Sequence, residues 1–153
     1  VSGREAAAAR MRRAHGGDVA ALEVLLAELE HPTPHAVLAA NLAQFDELWP
    51  RHAAFVAELD GAVVALVTVS AVPMLHRSSL LGRISSFVVS AALTGRGIGT
   101  RLLEHAEAHL VSVGCGHIEV TSALRRERAH RFYEERGYVR QGLRFVRAFT
   151  EHE

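Results

Sequence analysis

Residues 94–99 read TGRGIG, three glycines and one arginine between the apolar run Phe87, Val88, Val89 and a helix-like run that begins at Thr100. Side chains missing from three of six positions let a ligand lie directly against the backbone. At the start of a helix several amides lack carbonyl partners, and the aligned peptide dipoles add partial positive charge, so such an end attracts phosphate. Arg96 and Arg101 can add counter-charge, and Ile98 would turn inward as an anchor. An ordinary tight strand-to-helix turn would also need small residues here.

Spacing sorts the phosphate compounds. A P-loop would need a Lys-Ser or Lys-Thr pair after the last glycine, and Gly99 is followed by Thr100 and Arg101. The dinucleotide fingerprint G-x-G-x-x-G fits Gly95 and Gly97 but meets Thr100 where its third glycine belongs, although Glu119 lies about 20 residues on. A methyltransferase-like G-x-G-x-G matches literally, yet too little chain follows Gly99 for the strands such folds need.

Other reactive residue types carry weaker signals. Cys115 could form an acyl-enzyme, but it follows the C-terminal end of a helix, where the dipole disfavours a thiolate. His105 and His109 stand i, i+4 without the H-E-x-x-H of zinc proteases, so packed or solvated imidazoles are expected and no metal site. The RRERAHR stretch contains Glu127 and is followed by Glu134 and Glu135, which makes it a mixed-charge helix surface. Glu23, Glu28, Glu30, Asp46 and Glu47 could attract a cationic amine or form a solvated face.

The elements around these residues follow from pattern. At 153 residues the chain suits one domain spanning 1–153, and 17 basic against 17 acidic residues leave no net field for nucleic acid or an anionic membrane. The single cysteine, the lack of a signal-like opening and the absence of any apolar run long enough for a membrane span set the expectation of a cytoplasmic protein. Asp18 is placed to cap a helix carrying Val19, Leu22, Leu25, Leu26 and Leu29, and a second helix runs from Thr33 to Pro50. Asp60-Gly61 joins FVAEL to AVVALVTVS in a hairpin. A strand over about Leu81–Val89 enters the glycine segment, and Leu102, Leu103, Ala106, Leu110 and Val113 make one helical face. A strand at His117–Thr121, a helix at Arg125–Arg136 and a closing hairpin of Tyr138–Arg140 with Leu143–Phe149 complete an α/β or α+β order with a mixed sheet.

The run TGRGIGTRLLEHAEAHL, followed by HIEV and RRERAHRFYEERGY, resembles the GNAT superfamily of acyl-CoA N-acyltransferases over about Met11–Phe149. The resemblance implies a mixed sheet of about six to seven strands flanked by about four helices, with acetyl-CoA as co-substrate and no metal. Phe87, Val88 and Val89 match the segment that pairs with the pantetheine arm, and Gly95, Arg96, Gly97, Ile98, Gly99 and Thr100 match the pyrophosphate loop. Thr94 replaces the family's long polar residue, and Arg126 stands where many relatives have asparagine. Tyr133 matches the tyrosine that often protonates the departing thiolate, and Glu119 matches the general base of some branches or else a substrate anchor. The Val89 N–H is the oxyanion candidate. The implied reaction is direct attack of a primary amine, small or peptidic, on acetyl-CoA; a non-catalytic acyl-CoA binding or sensing module of the same fold is the alternative. Family habit also allows a homodimer.

Overall fold

The computed structural model describes residue 4 and residues 8–150. The chain forms two compact units, Val1–Glu119 and Val120–Glu153. Within the described residues a five-stranded sheet is ordered β1 (Arg10–Arg13), β2 (His52–Leu59), β3 (Ala62–Val72), β4 (Leu80–Val89) and β5 (Cys115–Val120). The helices are α1 (Val19–Glu28), α2 (His35–Glu47), α3 (Ile98–Ser112) and, in the second unit, α4 (Glu127–Glu135). The expected α/β class is therefore present, with five strands among the described residues where six to seven were expected.

Strand parity assigns the two cores. The β2–β3 register sets Phe55 opposite Val67 and Val56 opposite Leu66. Successive side chains leave a strand on opposite faces. Val56, Leu66 and Val88 join Leu22, Leu25, Leu38 and Leu42 in a cluster under α1 and α2. On the other face Phe55, Val67, Val69 and Ile84 are buried, as are Ile98, Leu102, Leu103, Ala106 and Leu110 along one stripe of α3. Gly82 shows how close that approach is: a Cβ there would stand 3.0 Å from the Leu110 side chain. The Asp60-Gly61 turn has φ of 51° and 79°, the two positive values a two-residue type I′ hairpin requires.

Two expectations need correction. Asp18 precedes α1 but makes no side-chain cap to it. Its carboxylate accepts from Arg12 Nη1 and Nη2 at 2.8 and 2.9 Å and from the His15 N–H at 2.9 Å. A bidentate guanidinium is a stronger partner than a helix amide, so the charge is drawn to β1. Arg12 Nε also donates to Glu58 at 2.7 Å, completing an Asp18–Arg12–Glu58 triad. Asp18 is held below the usual carboxylate range by that guanidinium, against the opposing effect of burial.

The closing hairpin at 138–140 and 143–149 is also absent: those residues carry no strand, and Val139, Leu143, Phe145, Val146 and Phe149 are exposed. Their apolar content marks a tendency to pack on a pleated neighbour, and a ladder exists only where such a neighbour pairs.

Candidate active site

The glycine segment begins where β4 ends. After a short 3-10 turn at Ala91–Leu93, Thr94 is extended and its hydroxyl donates back to the Ser90 carbonyl at 3.3 Å. Gly95 and Gly97 then adopt φ of 82° and 85°. Such left-handed values favour glycine, so these two glycines are demanded by the turn as well as by close approach. Gly97 is the N-cap of α3, which opens at Ile98, two residues ahead of the expected Thr100. The helical ladder starts at Arg101 N–H to Gly97 C=O, 3.2 Å. Ile98 is fully buried and pins the turn to the core, while Gly95 and Gly97 lie exposed at the surface. The result is a pair of exposed glycines immediately ahead of a helix N-terminus, the kind of end that attracts an oxyanion. Arg96 and Thr100 are half-buried beside it. The Arg101 guanidinium is directed elsewhere: its Nη1 donates to the Ala9 carbonyl at 2.7 Å.

β4 supplies a second backbone surface. Ser90 N–H donates to Val64 C=O at 2.8 Å, which fixes the alternation of the antiparallel β3–β4 ladder. Val89, opposite Ala65, and Phe87, opposite Val67, then occupy non-hydrogen-bonded pairs, with amides aimed away from β3 and toward the β5 side. Val88 faces the α1–α2 core instead. Farther back along β4 the register shifts between Thr68 and Val69, and the extra residue, Ser85, meets the Thr68 hydroxyl at 2.8 Å.

Glu119 stands exposed on β5 and its Oε1 accepts from Arg83 Nε at 2.7 Å. The desolvated mid-strand carboxylate that the base role invites is therefore found as an ion-paired surface group. Tyr133 is a buried residue of α4, with ring contacts to Phe132 at 5.4 Å and Tyr138 at 5.7 Å. Burial pushes its phenol up to about 12, so the hydroxyl keeps its proton throughout the neutral range. Arg126 is the residue that precedes α4.

The weaker signals resolve into packing. Cys115 is buried and its thiol is pushed up by desolvation, opposite to what a nucleophile needs. His105 and His109 set their rings edge-on to Phe55 at 4.8 and 5.1 Å, and His109 Nε2 meets the Pro50 carbonyl at 2.8 Å. Among the acidic residues, Glu23 pairs with His35, Asp46 with Arg13, and Glu28 accepts from the Ala91 N–H at 3.2 Å. Sequence reasoning missed Arg83 and Arg77. An arginine inside the run LLGRISS was the available signal, but only the sheet shows that Arg83 meets Glu119.

Comparison with known proteins bears on this arrangement. The family model described as Acetyltransferase (GNAT) family matches residues 21–138. The chain belongs to the GNAT acetyltransferase family. An aminoalkylphosphonate N-acetyltransferase of Salmonella typhimurium is 32% identical over 126 residues, which are 82% of this chain and 79% of that protein. Glucosamine-6-phosphate N-acetyltransferase from Arabidopsis thaliana superposes with a TM-score of 0.81 at 19% identity, covering 93% of this chain and 99% of the other. An aminoglycoside N-acetyltransferase crystallised with CoA gives 0.81 at 15% identity, covering 93% and 95%. At those identities the two structures share the GNAT fold with this chain, and the second shows that a protein of this fold binds coenzyme A. The glycine turn between β4 and α3 lies inside the matched span.

Proposed function

We propose that this GNAT protein transfers an acetyl group from acetyl-CoA to a primary amine by direct attack within a ternary complex. The observation that carries the reading is the exposed turn at Gly95–Gly97, whose positive-φ glycines stand immediately before the N-terminus of α3, where a pyrophosphate would be attracted. Backbone from Gly95 to Thr100, with Arg96, would hold that group, and Phe87, Val88 and Val89 would border the pantetheine arm. The fit is chemical: the coenzyme's diphosphate needs donors at a helix mouth, and its amide-bearing arm needs strand-like partners. The Phe87 and Val89 N–H groups, directed away from β3, are suited to pair with the amides of the pantetheine arm.

Two proton movements complete the reaction. The acceptor ammonium must lose a proton to become nucleophilic, and Glu119 is the proposed receiver through Oε2, since Oε1 is engaged by Arg83. The departing thiolate must gain one, and the Tyr133 hydroxyl, held protonated by burial, is the proposed donor. The named relative supports a small amine as acceptor.

The test is release of free thiol from acetyl-CoA across small amines, polyamines, aminoglycosides and N-terminal peptides, with coenzyme A binding followed in parallel by thermal shift. Thiol release with at least one amine class, together with coenzyme binding, is expected. Binding without release on the whole panel would leave a non-catalytic acyl-CoA module, and absence of coenzyme binding would reject the reading altogether.

A further inference from the structure

We infer that the acceptor amine carries a phosphonate or phosphate group and that Arg77 and Arg83 hold it on the open face of β4 and β5. The inference deepens the N-acetyltransferase reading and rests on it for the identity of the reaction, though not for the existence of the anion site.

Alternation on β5 is the starting point. His117 and Glu119 are two residues apart, so they leave the strand on one face, about 7 Å from each other. Each engages an arginine from a different part of the chain. Arg83, on β4 opposite Ser70, donates through Nε to Glu119 Oε1 at 2.7 Å. Arg77, from the connection between β3 and β4, sets Nη1 against the His117 ring nitrogens at 3.0 and 3.3 Å. Two guanidiniums are thus anchored side by side on neighbouring rungs of one strand face.

What remains of each group sets the ligand chemistry. Arg83 is gripped at Nε alone, and its two terminal nitrogens make no further hydrogen bond among the described residues. Arg77 is gripped at Nη1, leaving Nε and Nη2. A guanidinium has five N–H donors, so the pair retains enough for all three oxygens of a tetrahedral oxyanion, more than a planar carboxylate could use. Charge points the same way. Glu119 offsets Arg83, while Arg77 faces an imidazole, so the cluster keeps a net positive charge toward solvent. The Thr68 and Ser85 hydroxyls at the β4 register shift add neutral hydrogen-bonding groups nearer the Phe87–Val89 end.

Glu119 then gives the acceptor a direction. Its Oε1 fixes Arg83, and its Oε2 is left for an ammonium, so a short zwitterion would set its anionic end on the arginines and its amine toward the carboxylate.

The experiment has two arms. In the first, kcat/KM is measured with 2-aminoethylphosphonate, phosphoethanolamine, β-alanine and propylamine. The phosphonate or phosphate amine is expected to exceed propylamine by about 100-fold, with β-alanine between them, as loss of charge-assisted hydrogen bonds dictates. R77Q should lower the phosphonate-to-propylamine ratio about tenfold or more, and R77K should restore part of it. In the second arm methylphosphonate is titrated calorimetrically into the wild-type protein, R77Q and R83Q, with coenzyme A binding recorded on the same samples. Weakening of methylphosphonate by about tenfold in each variant, with coenzyme binding retained, supports the site. Equal use of propylamine and 2-aminoethylphosphonate, or methylphosphonate affinity that is absent or unchanged by both substitutions, overturns it. Failure of coenzyme A to bind would instead strike the N-acetyltransferase reading, while the methylphosphonate titration still reports on the arginines.

Discussion

On the face of the sheet covered by α3, Phe55, Val67, Val69 and Ile84 are closed off by a helix whose Ile98, Leu102 and Leu110 are all fully buried. The opposite face is closed only in part. α1 and α2 cover Val56, Leu66 and Val88, whereas Arg83 and Glu119 remain about half exposed on β4 and β5. The same strands build both faces, so the contrast is one of residue parity. One set of alternate positions is spent on a close-packed layer, and the other is divided between core and charge. Chemistry on the second face can therefore change without disturbing the first, because a substitution at one parity does not enter the opposite core.

That separation can be tested, in order of the expected cost to stability. The largest loss is expected from Asp18→Ala, because it leaves Arg12 and Glu58 around a missing charge in the covered part of the second face; breaking such a buried pair costs about 3–5 kcal/mol. Urea denaturation would measure it. Asp18 has a folded-state pKa below its unfolded value, so its contribution is present above about pH 4 and is lost as pH falls through the folded value. Acid titration of the variant should accordingly be flatter than that of the wild type below pH 4.

Leu102→Ala on the α3 face should cost about 2–5 kcal/mol, since the side chain is fully buried and a cavity would remain. A shift in the denaturation midpoint much smaller than this would mean that the α3 layer is not the close-packed partner described.

Tyr133→Phe in the second unit should change stability by about 1 kcal/mol at neutral pH, yet lower turnover about tenfold or more while coenzyme affinity is kept. Its pH signature is distinct. The phenol's pKa is raised from 10 to about 12, so its stabilising contribution is present below pH 10 and lost as pH rises toward 12. The phenylalanine variant should lack that component of the alkaline decline.

Glu119→Gln should cost least, below about 1 kcal/mol, because the Arg83 pair is half exposed and screened. Turnover should nonetheless fall about tenfold or more. A large loss of stability with unchanged turnover would reverse the assignment of this face.

Much of this was legible in the chain itself. The Asp60-Gly61 hairpin, the apolar stripe of α3 and the stop at Gly114 follow from local chemistry, and each element forms close to where its pattern places it. Ile98 could be read as an inward anchor because it is the apolar residue between two glycines at a helix start, and it is fully buried. Asp18 and the closing hairpin were misread for a common reason. Both depend on pairing that a local pattern does not carry: Arg12, six residues before Asp18 on β1, took the place of the helix amides, and a strand pattern without a paired neighbour formed no ladder at 138–149.

The sequence by itself determined the element order between the first helix and α4, the glycine turn and the family, because periodicity, left-handed backbone positions and motif spacing are local properties. Only the tertiary structure decided which charged side chains meet. Arg83 and Glu119 are 36 residues apart and Arg77 and His117 are 40 apart, and their contacts follow from β5 standing beside β4. Strand order is fixed by how the helices cover the two faces, a balance over the whole core that no short window of residues contains.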